Sequence, residues 1–158
     1  MSAIGHRANR LFRRELHTEI VIRAAAETVW GVLTDFARYP EWNPFIFSIE
    51  GKLAAGQRLT VRFAREGSKS VTFRPTVLYT EGLREVRWLG HLLLPLLFDG
   101  EHSFFMEPID VESVRFVQRE VFTGFLVPLF WRDLDTHTRK RFHKMNRALK
   151  ERAERMEG

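Results

Sequence analysis

PLFWRDLDTHTRKRFHKMNRALKERAERM, residues 128–156, decides the fold. With Val127 just ahead of it, the apolar residues Phe130, Trp131, Leu134, Phe142, Met145, Leu149, Ala153 and Met156, together with Thr138, recur mostly at spacings of three and four. That is the period of a helix with one apolar stripe. Arg132, Asp135, Arg139, Lys140, Lys144, Arg147, Lys150 and Glu151 occupy the other side and suit water. A helix of this length spans roughly 40 Å. It is too amphipathic to stand alone, so its stripe must lie against another layer.

The preceding sequence supplies that layer. Thr18, Ile20 and Ile22 alternate with Glu19, Val21 and Arg23, which predicts a strand beginning at Leu16. Residues 24–35 change period and predict a short helix with Glu27 in its first turn. Asp35 is positioned to cap a second short helix, which Pro40 is expected to end, before a rigid aromatic loop at Trp42, Asn43, Pro44 and Phe45.

From Phe47 onward short alternating runs are separated by turn residues. Phe47, Ile49, Gly51 and Leu53 form one, and Leu59, Val61 and Phe63 the next. Val71, Phe73, Pro75, Val77 and Tyr79 read as a third, with Pro75 marking an edge or a bulge. Val86 and Trp88 belong to a fourth; His102, Phe104 and Met106 follow a turn at Asp99-Gly100. Val114, Phe116, Gln118, Glu120 and Phe122 share a face of the last, closed by Gly124. The expected fold is therefore α+β: a curved antiparallel sheet of about seven strands wrapped around a long C-terminal helix, with two short helices after the first strand.

The chain has 158 residues, is 44% hydrophobic, contains 14 Phe and has no Cys. It is large enough for one core rich in aromatic rings, and disulfides and cysteine metal sites are excluded. The formal net charge of +5 is carried by the ends. Arg7, Arg10, Arg13 and Arg14 face only Glu15 in the first sixteen residues, and nine Lys or Arg outnumber five Asp or Glu from residue 128 onward. Residues 1–15 read as a flexible basic arm and 16–158 as a single domain. A solvated surface accounts for the basic ends, and no nucleic-acid partner is expected. The first sixteen residues lack the apolar core of a secretory signal, and the longest apolar run, 92–98, is far shorter than a membrane span. A cytoplasmic location is the expectation.

The segment Ile20-Val-Ile-Arg-Ala-Ala-Ala-Glu-Thr-Val-Trp30, leading to Thr34-Asp-Phe-Ala-Arg-Tyr-Pro-Glu-Trp-Asn-Pro44, carries a family resemblance. So do Phe73-Arg-Pro-Thr-Val77, Trp88-Leu-Gly90, Asp99-Gly-Glu-His102 and Met145-Asn-Arg-Ala-Leu-Lys150. Together these resemble the START-like (SRPBCC, helix-grip) superfamily, which includes the birch-pollen-allergen fold. Within it they are most similar to the bacterial polyketide cyclase/dehydrase and lipid transport branch, over residues 16–156. The resemblance implies an apolar cavity between sheet and long helix. It carries over no universal catalytic motif and no cofactor, and relatives include carriers, cyclases, hydrolases and receptors.

If the last hairpin turns near Val111, His102 faces Glu120, Phe104 faces Gln118 and Met106 faces Phe116, all pointing toward the helix. A carboxylate and an imidazole on an apolar wall must bond each other, water or a ligand. His102 and Glu120 are thus candidates for a general acid/base couple, for a polar ligand anchor, or for a satisfied structural pair. The expected lining comprises Phe63, Phe73, Val77 and Tyr79 from the early strands and Trp88, Phe104, Phe116, Gln118 and Phe122 from the later ones. Leu134, Phe142 and Met145 complete it from the helix. His91, His102, His137 and His143 have no metal-ligand spacing, so no metal is expected; a nucleophile elbow and a phosphate loop are also absent.

Three turns, 66–69, 92–98 and 124–131, should meet at one end of the sheet. Two are strongly apolar: Leu93, Leu94, Leu96, Leu97 and Phe98 in one, Phe125, Leu126, Phe130 and Trp131 in the other. They read as a cavity rim, as a cork closing the barrel end, or as a contact for a partner or membrane surface. The first functional expectation is a binder or carrier of a small hydrophobic molecule: lipid-like, polyketide-like or aromatic. A cyclase or dehydratase using Glu120 and His102 is the alternative, and an interaction module the third; monomer and homodimer both remain open.

Overall fold

The computed structural model describes residues 12–63, 70–91 and 94–158. Most of the expected basic arm lies outside them. The first strand, β1 (Arg13–Ile22), alternates as expected: Leu16, Thr18 and Ile22 are buried, whereas Glu15, Glu19 and Val21 are exposed. It starts three residues before Leu16 because Arg13, Arg14 and Glu15 pair with Thr123, Phe122 and Val121 of the final strand. Glu15 also accepts bonds of 2.6 and 2.9 Å from the Arg119 guanidinium.

Helix α1 (Ala26–Thr34) is followed by a 3₁₀ turn (Phe36–Arg38) and the four-residue α2 (Tyr39–Trp42). Asp35 makes no capping bond; its carboxylate lies 3.4 Å from Arg38 instead. Pro40 does not end the second helix but sits in the first turn of α2, where its missing N–H is no loss. Beneath these helices the Tyr39 hydroxyl donates to the Leu33 carbonyl at 2.7 Å, and burial pushes its pKa far up. Asn43 Oδ1 accepts from the amides of Phe45 and Ile46, both at 2.9 Å, and so aims the chain into the next strand.

Eight strands form two antiparallel sheets among the described residues. The smaller has the order β2 (Ile46–Glu50), β3 (Thr60–Phe63), β4 (Val71–Phe73). The larger adds β5 (Thr76–Glu81), β6 (Glu85–His91), β7 (Asp99–Asp110) and β8 (Ser113–Thr123), in the order β1-β8-β7-β6-β5. The strand expected over residues 71–79 is thus two. Buried Pro75 lies at the break and passes the chain from one sheet to the other. Bonds from Leu59 N to Pro75 O (2.9 Å) and Val77 N to Gln57 O (2.8 Å) keep the sheets stitched there.

Two irregularities alter the expected alternation. A register shift between Ile46 and Ser48 buries Ile46 and Ile49, three apart, and β2 stops at Glu50 before the expected Gly51 and Leu53. A second shift between Val77 and Tyr79 leaves Val77 inside and turns Tyr79 out. Asp99-Gly100, expected as a turn, opens β7. The β7–β8 hairpin has the expected register: His102 opposite Glu120, Phe104 opposite Gln118, Met106 opposite Phe116. At its tip Asp110 accepts bonds from Glu112 N and Ser113 Oγ, which hold its carboxyl below the usual range.

The C-terminal helix runs unbroken in helical backbone through α3 (Val127–Asp133), a π turn (Leu134–Thr138) and α4 (Arg139–Glu157). Phe130, Leu134, Thr138 and Phe142 are four apart. In an α-helix that spacing drifts about 40° per step; the wider π turn takes back part of the drift and keeps them on one face. Helix α4 also protects the open edge of β1: Arg139 donates to His17 O (3.1 Å), Lys150 to Val21 O (2.7 Å), and Glu154 accepts from Arg23 N (2.8 Å). Among the described residues no helix is long and apolar enough to cross a membrane.

Candidate functional site

Side chains meet the helix differently at the two ends of the large sheet. Toward the β7–β8 tip the space is solid: Phe104, Met106, Phe116, Met145 and Leu149 are buried and pack in one cluster with α1. Toward the opposite end, two glycines sit side by side, Gly90 on β6 paired with Gly100 on β7, next to Phe122 on β8. A β-carbon on Gly90 would touch Phe73 at 3.6 Å, and one on Gly100 would stand 2.6 Å from Glu120 Oε1. Both glycines line a cavity of about 630 Å³, within the range that holds one drug-sized molecule, about 300–1,000 Å³.

Of the expected lining, Phe63, Phe73, Trp88, Phe122, Leu134 and Phe142 face this cavity, as do His102 and Glu120. Val77, Phe104, Phe116, Gln118 and Met145 do not, because they belong to the solid half. Gln118 spends its amide on Met145, its Nε2 lying 3.2 Å from the sulfur. Tyr79 is on the outer surface beyond the β5 bulge, where its hydroxyl donates to Glu81 at 2.8 Å. Phe45, Ile46, Val61 and Val71 of the small sheet and its connections were missed, along with Pro75, Gly90 and Gly100. So were Asp133, His137, Thr138 and Arg141 of the helix as lining. The two paired glycines were the available signal, since glycine inside a strand marks a close approach.

Across the sheet, Leu16, Glu120, His102 and Trp88 form one row. The His102 ring lies 5.7 Å from that of Trp88 at 24°, and Phe104 and Phe142 close it in at 4.5 and 5.0 Å. His102 Nδ1 is 3.2 Å from Glu120 Oε2, with the Glu120 carboxylate passing over Gly100. His102 is only 7% exposed, and its Nε2 is buried without a partner. Among the described residues no three His, Asp or Glu side chains gather as a metal site requires.

At the rim, the segments at residues 94–98 and 124–127 are zipped by Phe125 N to Leu96 O (3.3 Å) and Leu126 N to Leu97 O (3.0 Å). Asp99 anchors the first of them, accepting from Leu96 N at 3.1 Å and meeting His91 Nδ1 at 2.6 Å. Phe98 and Phe130 reach the cavity. Leu94, Leu96 and Phe125 point to solvent, and Leu97 and Leu126 are half-buried. Trp131 turns away into the small cluster of Leu16, Phe122, Val127 and Phe142, with the Arg14 guanidinium 5.9 Å over its ring. Leu93 and the turn at 66–69 lie outside the described residues.

A family model for polyketide cyclase / dehydrase and lipid transport matches residues 13–154. The chain belongs to that family. Solved structures of low sequence identity share its fold. The di-domain ARO/CYC StfQ of the steffimycin biosynthetic pathway superposes with a TM-score of 0.80 at 15% identity; 99% of this chain covers 56% of that one, so it spans about half of the di-domain protein. The Zhui aromatase/cyclase from Streptomyces sp. R1128 gives 0.72 at 19% identity, with 92% and 96% of the chains covered. A START superfamily protein from Mycobacterium smegmatis gives 0.67 at 22% identity over 90% and 98%. No curated protein sequence matches the chain.

Proposed function

We propose that the protein binds a small hydrophobic molecule, aromatic, polyketide-like or lipid-like, in the hollow between the Gly90–Gly100 floor and the start of the long helix. The observation that carries this reading is a cavity of about 630 Å³ with seven Phe and one Trp in its walls, and with its polar groups confined to the His102–Glu120 pair on the sheet and to Asp133, His137, Thr138 and Arg141 on the helix. Burying an apolar body against such walls supplies affinity, and the polar groups orient it. A fatty-acid and aromatic library screened by thermal shift is the test. Members that fill the hollow should raise the melting temperature of the wild type and not of a Gly90→Leu variant, whose side chain would occupy it; no shift with any member would sink the reading.

A second reading, proton transfer, is favoured by the unpartnered Nε2 of His102 beside Glu120. In a dehydration, Glu120, the more exposed member of the pair, would take the proton next to a carbonyl while His102 holds its carboxylate in place, and that proton would leave with the departing hydroxyl as water. The aromatase/cyclases of similar shape support a reaction of this class. Glu120→Gln should then abolish turnover and leave ligand binding intact; turnover that survives the change removes Glu120 from the chemistry.

A further inference from the structure

The hollow carries a fixed positive charge at its mouth. Arg141 lines it from the first turn of α4, one residue before the buried Phe142, and its guanidinium lies 5.4 Å over the Phe45 ring on the facing wall. The side chain therefore crosses the gap between helix and small sheet. The cation–π contact with Phe45 draws the guanidinium toward the hollow, and a planar guanidinium carries N–H donors along its edge.

The carboxylates that could neutralise Arg141 along the helix are engaged elsewhere. Asp135 is taken by Arg139 at 2.7 Å; Asp133, which also lines the hollow, lies 3.3 Å from His137 and forms no ion pair with Arg141. Among the described residues Arg141 forms no ion pair within 4.0 Å. At the floor, Glu120 is turned to His102. The hollow thus has aromatic walls, the His102–Glu120 pair on its sheet side and, at its open end, an arginine with no ion pair among the described residues.

Resting on the ligand-binding reading above, we infer that the ligand is a carboxylic acid. Its anionic group meets Arg141 at the mouth, and its aromatic or acyl body fills the hollow. Arg141 is then the residue that selects acids over neutral molecules of the same shape. A planar guanidinium suits a carboxylate because two parallel N–H···O bonds form at once.

The test uses matched pairs: 6-hydroxy-2-naphthoic acid and dodecanoic acid, each against its methyl ester. Titration calorimetry on the full chain at pH 7.5 gives the affinities. The acids should bind about tenfold or more tightly than the esters, the size a charge-assisted bond gives. Raising salt from about 50 to 500 mM should weaken the acids and spare the esters. Arg141→Gln should erase the preference, acid affinity falling at least to that of the ester, and Arg141→Lys should restore part of it. Esters binding as tightly as acids, or a preference that survives Arg141→Gln, overturns the role of Arg141 and leaves the pocket reading standing. If neither acid nor ester of either pair binds the wild type, both readings fall.

Discussion

The Glu120 carboxylate fills the space that a side chain at Gly100 would need: a β-carbon there would stand 2.6 Å from Oε1. Glycine at this position is therefore what lets Glu120 lie flat across β7 and reach His102. Gly100→Ala should push the carboxylate aside and break the 3.2 Å contact while keeping the fold. Nitrogen-15 NMR of His102 should show its Nδ1 proton losing its fixed partner, with the melting temperature shifted by only a few degrees, about 1 kcal/mol.

Removing one member of the pair should cost more than removing both. Glu120→Leu leaves a buried imidazole with neither nitrogen satisfied, a loss of about 1–3 kcal/mol. The double variant His102→Phe/Glu120→Leu replaces both by apolar groups in an aromatic box and should recover most of that loss. Urea denaturation of the two variants measures the difference. A double variant less stable than Glu120→Leu alone would refute this account of the pair.

The solid and hollow halves should respond differently to the same truncation. Phe116→Ala opens a void in a filled region and should cost about 3–5 kcal/mol. Phe73→Ala enlarges a space that already exists and should cost about half of that or less, while changing which library members shift the melting temperature. Denaturation midpoints report the first quantity and thermal shift the second.

Acid should destabilise the chain below the ordinary carboxyl pKa. The bond from Arg119, followed by its charge, holds the Glu15 carboxyl below its ordinary value of 4.5; the Lys150 bond acts likewise on Glu154. A pKa lower in the folded than in the unfolded chain gives stability that is present above about 4.5 and lost as pH falls through the folded value. The urea midpoint should therefore be flat above about pH 5 and decline below 4.5. Arg119→Gln should lower the midpoint at pH 7, and its gap to the wild type should narrow toward pH 3; both groups are partly exposed, so the effect is modest.

The hairpin register was legible in the sequence because Val114, Phe116, Gln118 and Phe122 alternate strictly and Asp110 marks the turn. The helix stripe was legible for the same reason of period. The location of the hollow was not, because two of the residues at its floor carry no side chain: Gly90 and Gly100 read as punctuation until their pairing is known. Tyr79 was misplaced by a single bulge, since one extra residue reverses every later side chain. Arg141 flanks the apolar stripe and looked like one more solvated cation. Only its approach to Phe45, 96 positions earlier in the chain, sets it apart.

The division of the sheet into a filled end and an empty one separates two kinds of inheritance along the same strands. Substitutions near Phe104 and Phe116 put the whole molecule at risk, whereas those near Phe73, Gly90 and Arg141 change the shape and charge of the chamber. Under the ligand-binding proposal, a lineage carrying this chain trades one guest for another by single steps, each step leaving behind a protein that still folds.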